Sequence, residues 1–161
     1  MIRPKLLILF IVIMLSLGFN NFIKAESNEQ AISADLIKEE FLKTNFPELL
    51  YNTRKLPTEI KKIFSGHDVL ANPGERFNNS DVVEGLFPAP SRQLIFAGET
   101  GNVAFVYYQQ GGFVSYYTLA LFMFDGKRGI SLRSIYVLKA KRANDLNELK
   151  LLVKDYAEKI E

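Results

Sequence analysis

Residues 92–140 carry the strongest structural signal in the chain: RQLIFAGETGNVAFVYYQQGGFVSYYTLALFMFDGKRGISLRSIYVLKA. Runs rich in β-branched and aromatic residues alternate there with short turn signals, as strands and their connections do. The runs are Gln93–Gly98, Val103–Gln109, Phe113–Phe124 and Ile130–Ala140. Because short connections join neighbouring strands antiparallel, the pattern predicts a four-stranded antiparallel meander sheet over residues 92–140.

Residues on either side of this region predict helices. Residues 29–64 are interpreted as helical, with a break at Pro47, because apolar side chains recur there at helical spacing. Residues 145–160 are interpreted as a C-terminal helix capped by Asp145 and Glu148. Residues 66–90 are rich in Asn, Pro and Gly and predict a long loop. The expected fold is therefore α+β, a sheet packed by an N-terminal helix and a C-terminal helix.

Two glycine-containing turns set the expected strand register. If Gly111–Gly112 forms a two-residue hairpin loop, Tyr107 lies opposite Tyr116, and a similar loop is expected at Gly126–Lys127. One face of the sheet is then almost wholly apolar and receives the helices, whereas the other face is aromatic and basic. A slip of one residue in either loop would exchange the two faces.

The mixed face provides the candidate binding residues Phe105, Tyr107, Tyr116 and Arg133. Exposed aromatic rings beside a guanidinium group suit the stacking of a sugar or another planar ligand, or the anchoring of a protein partner. In the alternative interpretation, the 66–90 loop or the first helix covers these rings and makes them a second small core.

The first 25 residues have the features of a secretory signal peptide. Arg3 and Lys5 precede the apolar stretch Leu6–Leu17, and Ala25 offers a small residue at a cleavage position. Cleavage would leave residues 26–161 as a single α+β domain outside the cytoplasm, periplasmic or secreted and not bound to a membrane. The alternative is an uncleaved N-terminal membrane anchor, for which the apolar stretch is short.

The composition disfavours several classes of function. The 161 residues include 20 basic and 18 acidic side chains, one histidine and no cysteine. Because Arg3, Lys5 and Lys24 account for the excess positive charge, residues 26–161 are near neutrality, which argues against a nucleic-acid binder. Without cysteine the chain has no disulfide, no thiolate chemistry and no cysteine-ligated metal.

Catalytic groups are sparse. The one histidine, His67, is followed by Asp68, but no Gly-x-Ser-x-Gly motif offers a nucleophile. Catalytic zinc usually takes two or three histidines or cysteines, so one histidine predicts no metal site. We also expect no cofactor and no catalytic residue. Carboxylates in or beside the loop could still converge, as a glycosidase pair does. They are Glu75, Asp81, Glu84 and Glu99.

These features favour a small exported protein that is not an enzyme and that binds a partner, as an inhibitor or accessory module. The expected partner is another exported protein or a component of the cell envelope. One alternative is a small exported hydrolase that uses His67 or the loop carboxylates. Another is a carrier that holds an apolar ligand between the sheet and the helices. An exposed aromatic patch favours the binding module, whereas a polar cluster in a pocket favours the hydrolase.

Overall fold

The computed structural model describes residues 36–66, 69–80, 88–125, 129–138, 141–156 and 158–160. The chain divides into two compact units, Met1–Leu36 and Ile37–Glu161, and the strands among the described residues belong to the second. The predicted signal peptide and the predicted helix before residue 36 lie outside the described residues. The single domain over residues 26–161 therefore stays a prediction.

Helical and extended segments alternate along the described chain. Helix α1 covers residues 36–43, a 3-10 helix covers Thr53–Lys55, α2 covers Thr58–Ile63 and α3 covers Leu146–Tyr156. The strands are β1 (Leu49–Leu50), β2 (Leu70–Ala71), β3 (Arg92–Thr100), β4 (Val103–Gln110), β5 (Tyr116–Asp125), β6 (Gly129–Val137) and β7 (Glu158–Ile160). The α+β fold with an antiparallel sheet and helices is confirmed.

Strands β3, β4, β5 and β6 form an antiparallel meander, as residues 92–140 predict. The sheet nevertheless has seven strands among the described residues, so the predicted number of four is wrong. Their order is β1-β3-β4-β5-β6-β7, with β2 paired parallel to β3. The additional strands β1, β2 and β7 have two or three residues each, too few for a period-two alternation to be visible in the sequence.

Helix α3 begins as the sequence predicts. The Glu148 amide donates to Asp145 Oδ1 at 2.9 Å, and Glu148 Oε2 accepts from the Asn144 amide at 2.9 Å. These bonds satisfy amides that the start of a helix leaves open. The helix ends at Tyr156, short of the predicted residue 160, and Glu158–Ile160 pair as β7 with the open edge of β6.

The connection between β4 and β5 has five residues, 111–115, and not two. Gln110 pairs with Tyr116, and Tyr107 therefore pairs with Leu119. Because the register differs from the expected one by an odd number of residues, the β4 side chains lie on the opposite face relative to β5. A second shift in register, a bulge, occurs between β5 and β6 near Leu121.

Both faces of the sheet are covered. On one face, α1 and α3 bury a core that includes Ile37, Phe41, Phe96, Phe105, Tyr107, Leu119, Leu121, Leu149 and Val153. On the other face, α2 and the segment before it bury a second core that includes Leu56, Ile60, Phe64, Leu70, Leu94, Val106, Tyr108 and Phe122. The aromatic side chains Phe105 and Tyr107 of β4 are thus covered by α1. This is the alternative interpretation of the sequence, in which the first helix covers these rings.

Candidate functional site

Two of the four predicted binding residues, Phe105 and Tyr107, do not lie on a surface. Phe105 and Tyr107 are wholly buried on the side of the sheet that α1 and α3 cover. Tyr116 is half-buried at the start of β5, opposite Gln110. Arg133 lies at the bulge in β6, and only its backbone is described. The predicted exposed aromatic face is therefore wrong for Phe105 and Tyr107. Binding through the four residues stays a prediction, and the burial of these two argues against it.

Phe105 and Tyr107 contribute to the core. The ring of Phe105 contacts three other rings, with centroid distances of 5.3 Å to Phe41, 4.8 Å to Phe46 and 6.0 Å to Phe96. Tyr107 Oη accepts a hydrogen bond from the Ala143 amide at 2.9 Å, which joins β4 to the segment before α3. Burial raises the pKa of Tyr107 to about 12, so the phenol is neutral at physiological pH.

Two of the loop carboxylates, Glu75 and Glu99, do not lie together. Glu75 is exposed and accepts hydrogen bonds from the Asn72 side chain at 2.9 Å and the Asn72 amide at 2.8 Å, and these bonds lower its pKa. The Glu75 carbonyl accepts from Gln93 Nε2 at the start of β3, whereas Glu99 lies near the end of β3, about 20 Å further along the strand. The other candidates, His67, Asp81 and Glu84, lie outside the described residues.

The described ranges hold no group of three acidic or histidine side chains that could bind a metal ion. Within the same ranges, no helix combines the length and apolar character that crossing a membrane requires. An exposed surface lies at one end of the sheet, on the connection between β4 and β5.

The most exposed large apolar side chain in the described part of the chain stands on the connection between β4 and β5. Phe113 is 97% exposed and Val114 is 70% exposed. Both belong to residues 111–115, which we call the hairpin tip, and neither belongs to either core. A single exposed apolar side chain is ordinary, but Phe113 and Val114 are neighbours in the chain and both are exposed, and larger exposed apolar surfaces mark interaction sites.

Glycines hold the hairpin tip close to the loop that contains Asn78. The Gly111 amide is buried and donates to Ser91 O at 2.8 Å. A Cβ atom at Gly111 would clash with Asn78 O, so this approach of the two backbones requires glycine. Gly112 has φ 144°, a conformation that residues with a side chain rarely adopt.

Side-chain hydrogen bonds fix the base of the hairpin tip. Arg92 Nε donates to Gln110 Oε1 at 2.6 Å, and Gln109 Nε2 donates to Ser115 Oγ at 2.6 Å. The Arg92 guanidinium group also lies 5.7 Å from the centroid of the Tyr108 ring. The two exposed side chains are therefore carried on a base that is ordered in the unbound protein.

A polar depression of about 250 Å³ lies beside the segment that contacts the hairpin tip, because Asn78 and Asn79 of its lining are next to Gly111 and Gly112. It is lined by Arg76, Phe77, Asn78, Asn79, Ser80 and Ala89. Asn78 Oδ1 orders this segment, because it accepts from both the amide and the hydroxyl of Ser80 at 3.0 Å. An apolar centre with a polar border is the usual anatomy of a protein–protein interface.

Sequence reasoning missed this surface because it assigned Phe113 and Val114 to a strand. Both residue types favour strands, and a two-residue loop at Gly111–Gly112 was the simplest turn. The signal that could have found the surface is Ser115, since a Gly-Gly-Phe-Val-Ser run also fits a five-residue hairpin connection.

No protein-family model matches the chain, and neither a curated protein nor a solved structure is significantly similar to it. The function is therefore inferred from the geometry of the molecule itself.

Proposed function

We propose that the chain is an exported, non-enzymatic binding module, an inhibitor or accessory factor, whose contact surface is the hairpin tip. The observation that carries the proposal is the exposure of Phe113 and Val114 on a connection whose base is held by hydrogen bonds. The partner is an extracytoplasmic protein or a cell-envelope component with an apolar cleft that admits these two side chains.

Burial of the hairpin tip would supply a substantial part of the binding free energy. Burying a phenylalanine or valine side chain fully contributes about 1.5–3 kcal/mol, and each 1.4 kcal/mol or so is a factor of about ten in affinity. Because hydrogen bonds already order the base before binding, the entropy cost of binding falls mainly on the two tip side chains. A phenylalanine as exposed as Phe113 can act as the central anchor of an interface.

Export is inferred from the first 25 residues, with cleavage after Ala25. N-terminal sequencing of the protein recovered outside the cytoplasm is expected to begin at Glu26. An intact chain that begins at Met1 and fractionates with membranes would contradict cleavage and favour the N-terminal anchor.

Site-specific photo-crosslinking in the producing cell tests the contact surface. A benzophenone side chain at position 113 is expected to form a discrete adduct with the partner. The matched control is position 151, because Leu151 is also an apolar residue that is 61% exposed, but it lies on α3 and not on the hairpin tip. Position 151 is expected to give no such adduct.

Two further variants define how this experiment could fail. Val114→Ser should reduce the adduct from position 113, and His67→Ala should leave it unchanged. Equal adducts from positions 113 and 151 would indicate non-specific contact. If position 113 gives no adduct while His67→Ala abolishes an activity of the protein, the hydrolase takes the place of the binding module.

A further inference from the structure

A pocket of about 290 Å³ lies on the side of the sheet that α2 covers. Its floor is apolar, because Leu56, Phe64 and Leu70 are buried members of the second core, and Val69 is partly exposed in its wall. The volume is near the lower limit for small-molecule sites. It offers room for about ten non-hydrogen atoms, if each takes the roughly 30 Å³ share of one water molecule.

Two cationic side chains, Arg54 and Lys61, line the same pocket. Neither enters an ion pair in the part of the chain that the structure describes. The ion pairs found there join Lys43 to Glu39 and Lys55 to Glu48. The pocket therefore combines an apolar floor with two positive charges that no carboxylate of the described chain neutralises by direct contact.

Two acidic side chains among the described residues near the pocket, Glu75 and Glu59, have other neighbours. The Glu75 carboxylate is bound by the Asn72 side chain and amide, which are the main cause of its lowered pKa, and Arg54 makes a smaller contribution from a distance. Glu59 on α2 lies beside Gly129 of β6, since its Cγ atom is 3.8 Å from the position that a Cβ of Gly129 would take. Among the described residues, no carboxylate forms an ion pair with Arg54 or Lys61, which can therefore bind an external anion.

The segment that carries Arg54 is fixed in place. The Arg54 amide donates to Asn52 Oδ1 at 2.9 Å, and the Thr53 amide donates to Asn72 Oδ1 at 2.8 Å. Lys61 Nζ donates to the Arg54 carbonyl at 2.7 Å, which places the ammonium group beside the 3-10 helix. Because a lysine ammonium group has three donors, two remain for a ligand.

We propose that this pocket binds a small amphipathic carboxylate, with its carboxylate group between Arg54 and Lys61 and its apolar part on Leu56, Phe64 and Leu70. The site is separate in its residues from the hairpin tip and does not depend on the partner-binding function. Charged donors strengthen hydrogen bonds to a carboxylate, and the apolar floor rewards a hydrocarbon chain. An inorganic anion would use only the first feature, and an uncharged hydrocarbon only the second.

Calorimetric titration with octanoate at low ionic strength tests the proposal, with 1-octanol as the uncharged probe of equal chain length. Octanoate is expected to bind at least about tenfold more tightly than 1-octanol. The double variant Arg54→Gln with Lys61→Gln should weaken octanoate binding by about tenfold or more and leave 1-octanol binding unchanged. In NMR spectra, the amides of Val69 and Leu70 should shift on addition of octanoate to the wild type.

Lys62→Gln is the matched control, because Lys62 lies on the same helix and loses the same charge but is outside the described lining of the pocket. It should bind octanoate as the wild type does. If the double variant fails to fold, each single variant should still weaken octanoate binding. Equal affinity for octanoate and 1-octanol, an equal loss in Lys62→Gln, or no octanoate binding by the folded wild type would overturn the proposal.

Discussion

Phe105 and Phe113 are the same residue type on one hairpin, and their environments are opposite. Phe105 is wholly buried among the rings of Phe41, Phe46 and Phe96, whereas Phe113 is 97% exposed. What separates them is the strand register and the length of the β4–β5 connection, not the chemistry of the side chain. A phenylalanine in a run of strand-forming residues therefore indicates only an apolar side chain. The pairing of the strands decides whether that side chain is buried in the core or exposed for contact.

The largest expected effect concerns the buried half of this comparison. Phe105→Ala should lower the free energy of unfolding by about 3–5 kcal/mol, because it leaves a cavity among packed rings. Leu121→Ala, on the same core face, should cost about 2–5 kcal/mol. Both values are a large part of a typical total stability of about 5–15 kcal/mol, and denaturant melts measure them. A cost below about 0.5 kcal/mol for Leu121→Ala would mean that the strand is misplaced.

Tyr107→Phe should have an intermediate effect, since it removes only a hydroxyl from the same core. The Ala143 amide then loses its acceptor, and a buried donor without a partner costs about 1–3 kcal/mol. Thermal or denaturant melts at neutral pH give this value. Tyr107→Leu, which also removes the ring, should cost more; equal losses would mean that the ring contributes nothing to the packing.

The same side chain makes a prediction for alkaline pH. The folded-state pKa of about 12 lies above the ordinary value of 10, so the stability that the neutral phenol contributes is complete below pH 10 and is lost as the pH rises towards 12. Stability of the wild type should therefore fall more steeply over this range than that of Tyr107→Phe. Parallel pH profiles for the two proteins would contradict the burial of this phenol.

Gly111→Ala should perturb the exposed half of the comparison. Its Cβ would clash with Asn78 O, so one of the two backbones must move, at a cost of about 1–3 kcal/mol. Yield of the crosslinked adduct from position 113 should fall with it. Gly101→Ala is the control, because a Cβ there meets nothing within 4 Å and only its φ of 52° is strained. If Gly101→Ala reduces the adduct as much, the contact between tip and loop is not what orders the surface.

The sequence predicted the central meander because β3 to β6 are long runs of strand-forming residues bounded by turns. It also predicted the start of α3, since the cap is a local pattern of Asp145 and Glu148. The short strands β1, β2 and β7 were missed because their pairing is decided by distant parts of the chain, as in the contact of Leu70 with Arg92. Local signals cannot report a pairing of this kind.

The site was harder to predict than the fold, for a related reason. The candidate residues Phe105, Tyr107, Tyr116 and Arg133 were grouped by a register that depends on one loop length. A five-residue connection in place of a two-residue one moved Tyr107 away from Tyr116 and put it opposite Leu119. The pocket beside Arg54 could not be predicted from the sequence either. Its floor combines Leu56, Phe64 and Leu70, which come from segments that no sequence pattern places together.

The opposite environments of Phe105 and Phe113 are tested most directly by the free energy of unfolding of Phe113→Ala. It is measured beside the wild type and Phe105→Ala under the same conditions. If the hairpin tip is exposed and outside both cores, Phe113→Ala should match the wild type within about 0.5 kcal/mol. Phe105→Ala should be destabilised by about 3 kcal/mol or more. A loss of about 2 kcal/mol or more for Phe113→Ala would show that this ring is part of the core and would remove the proposed contact surface.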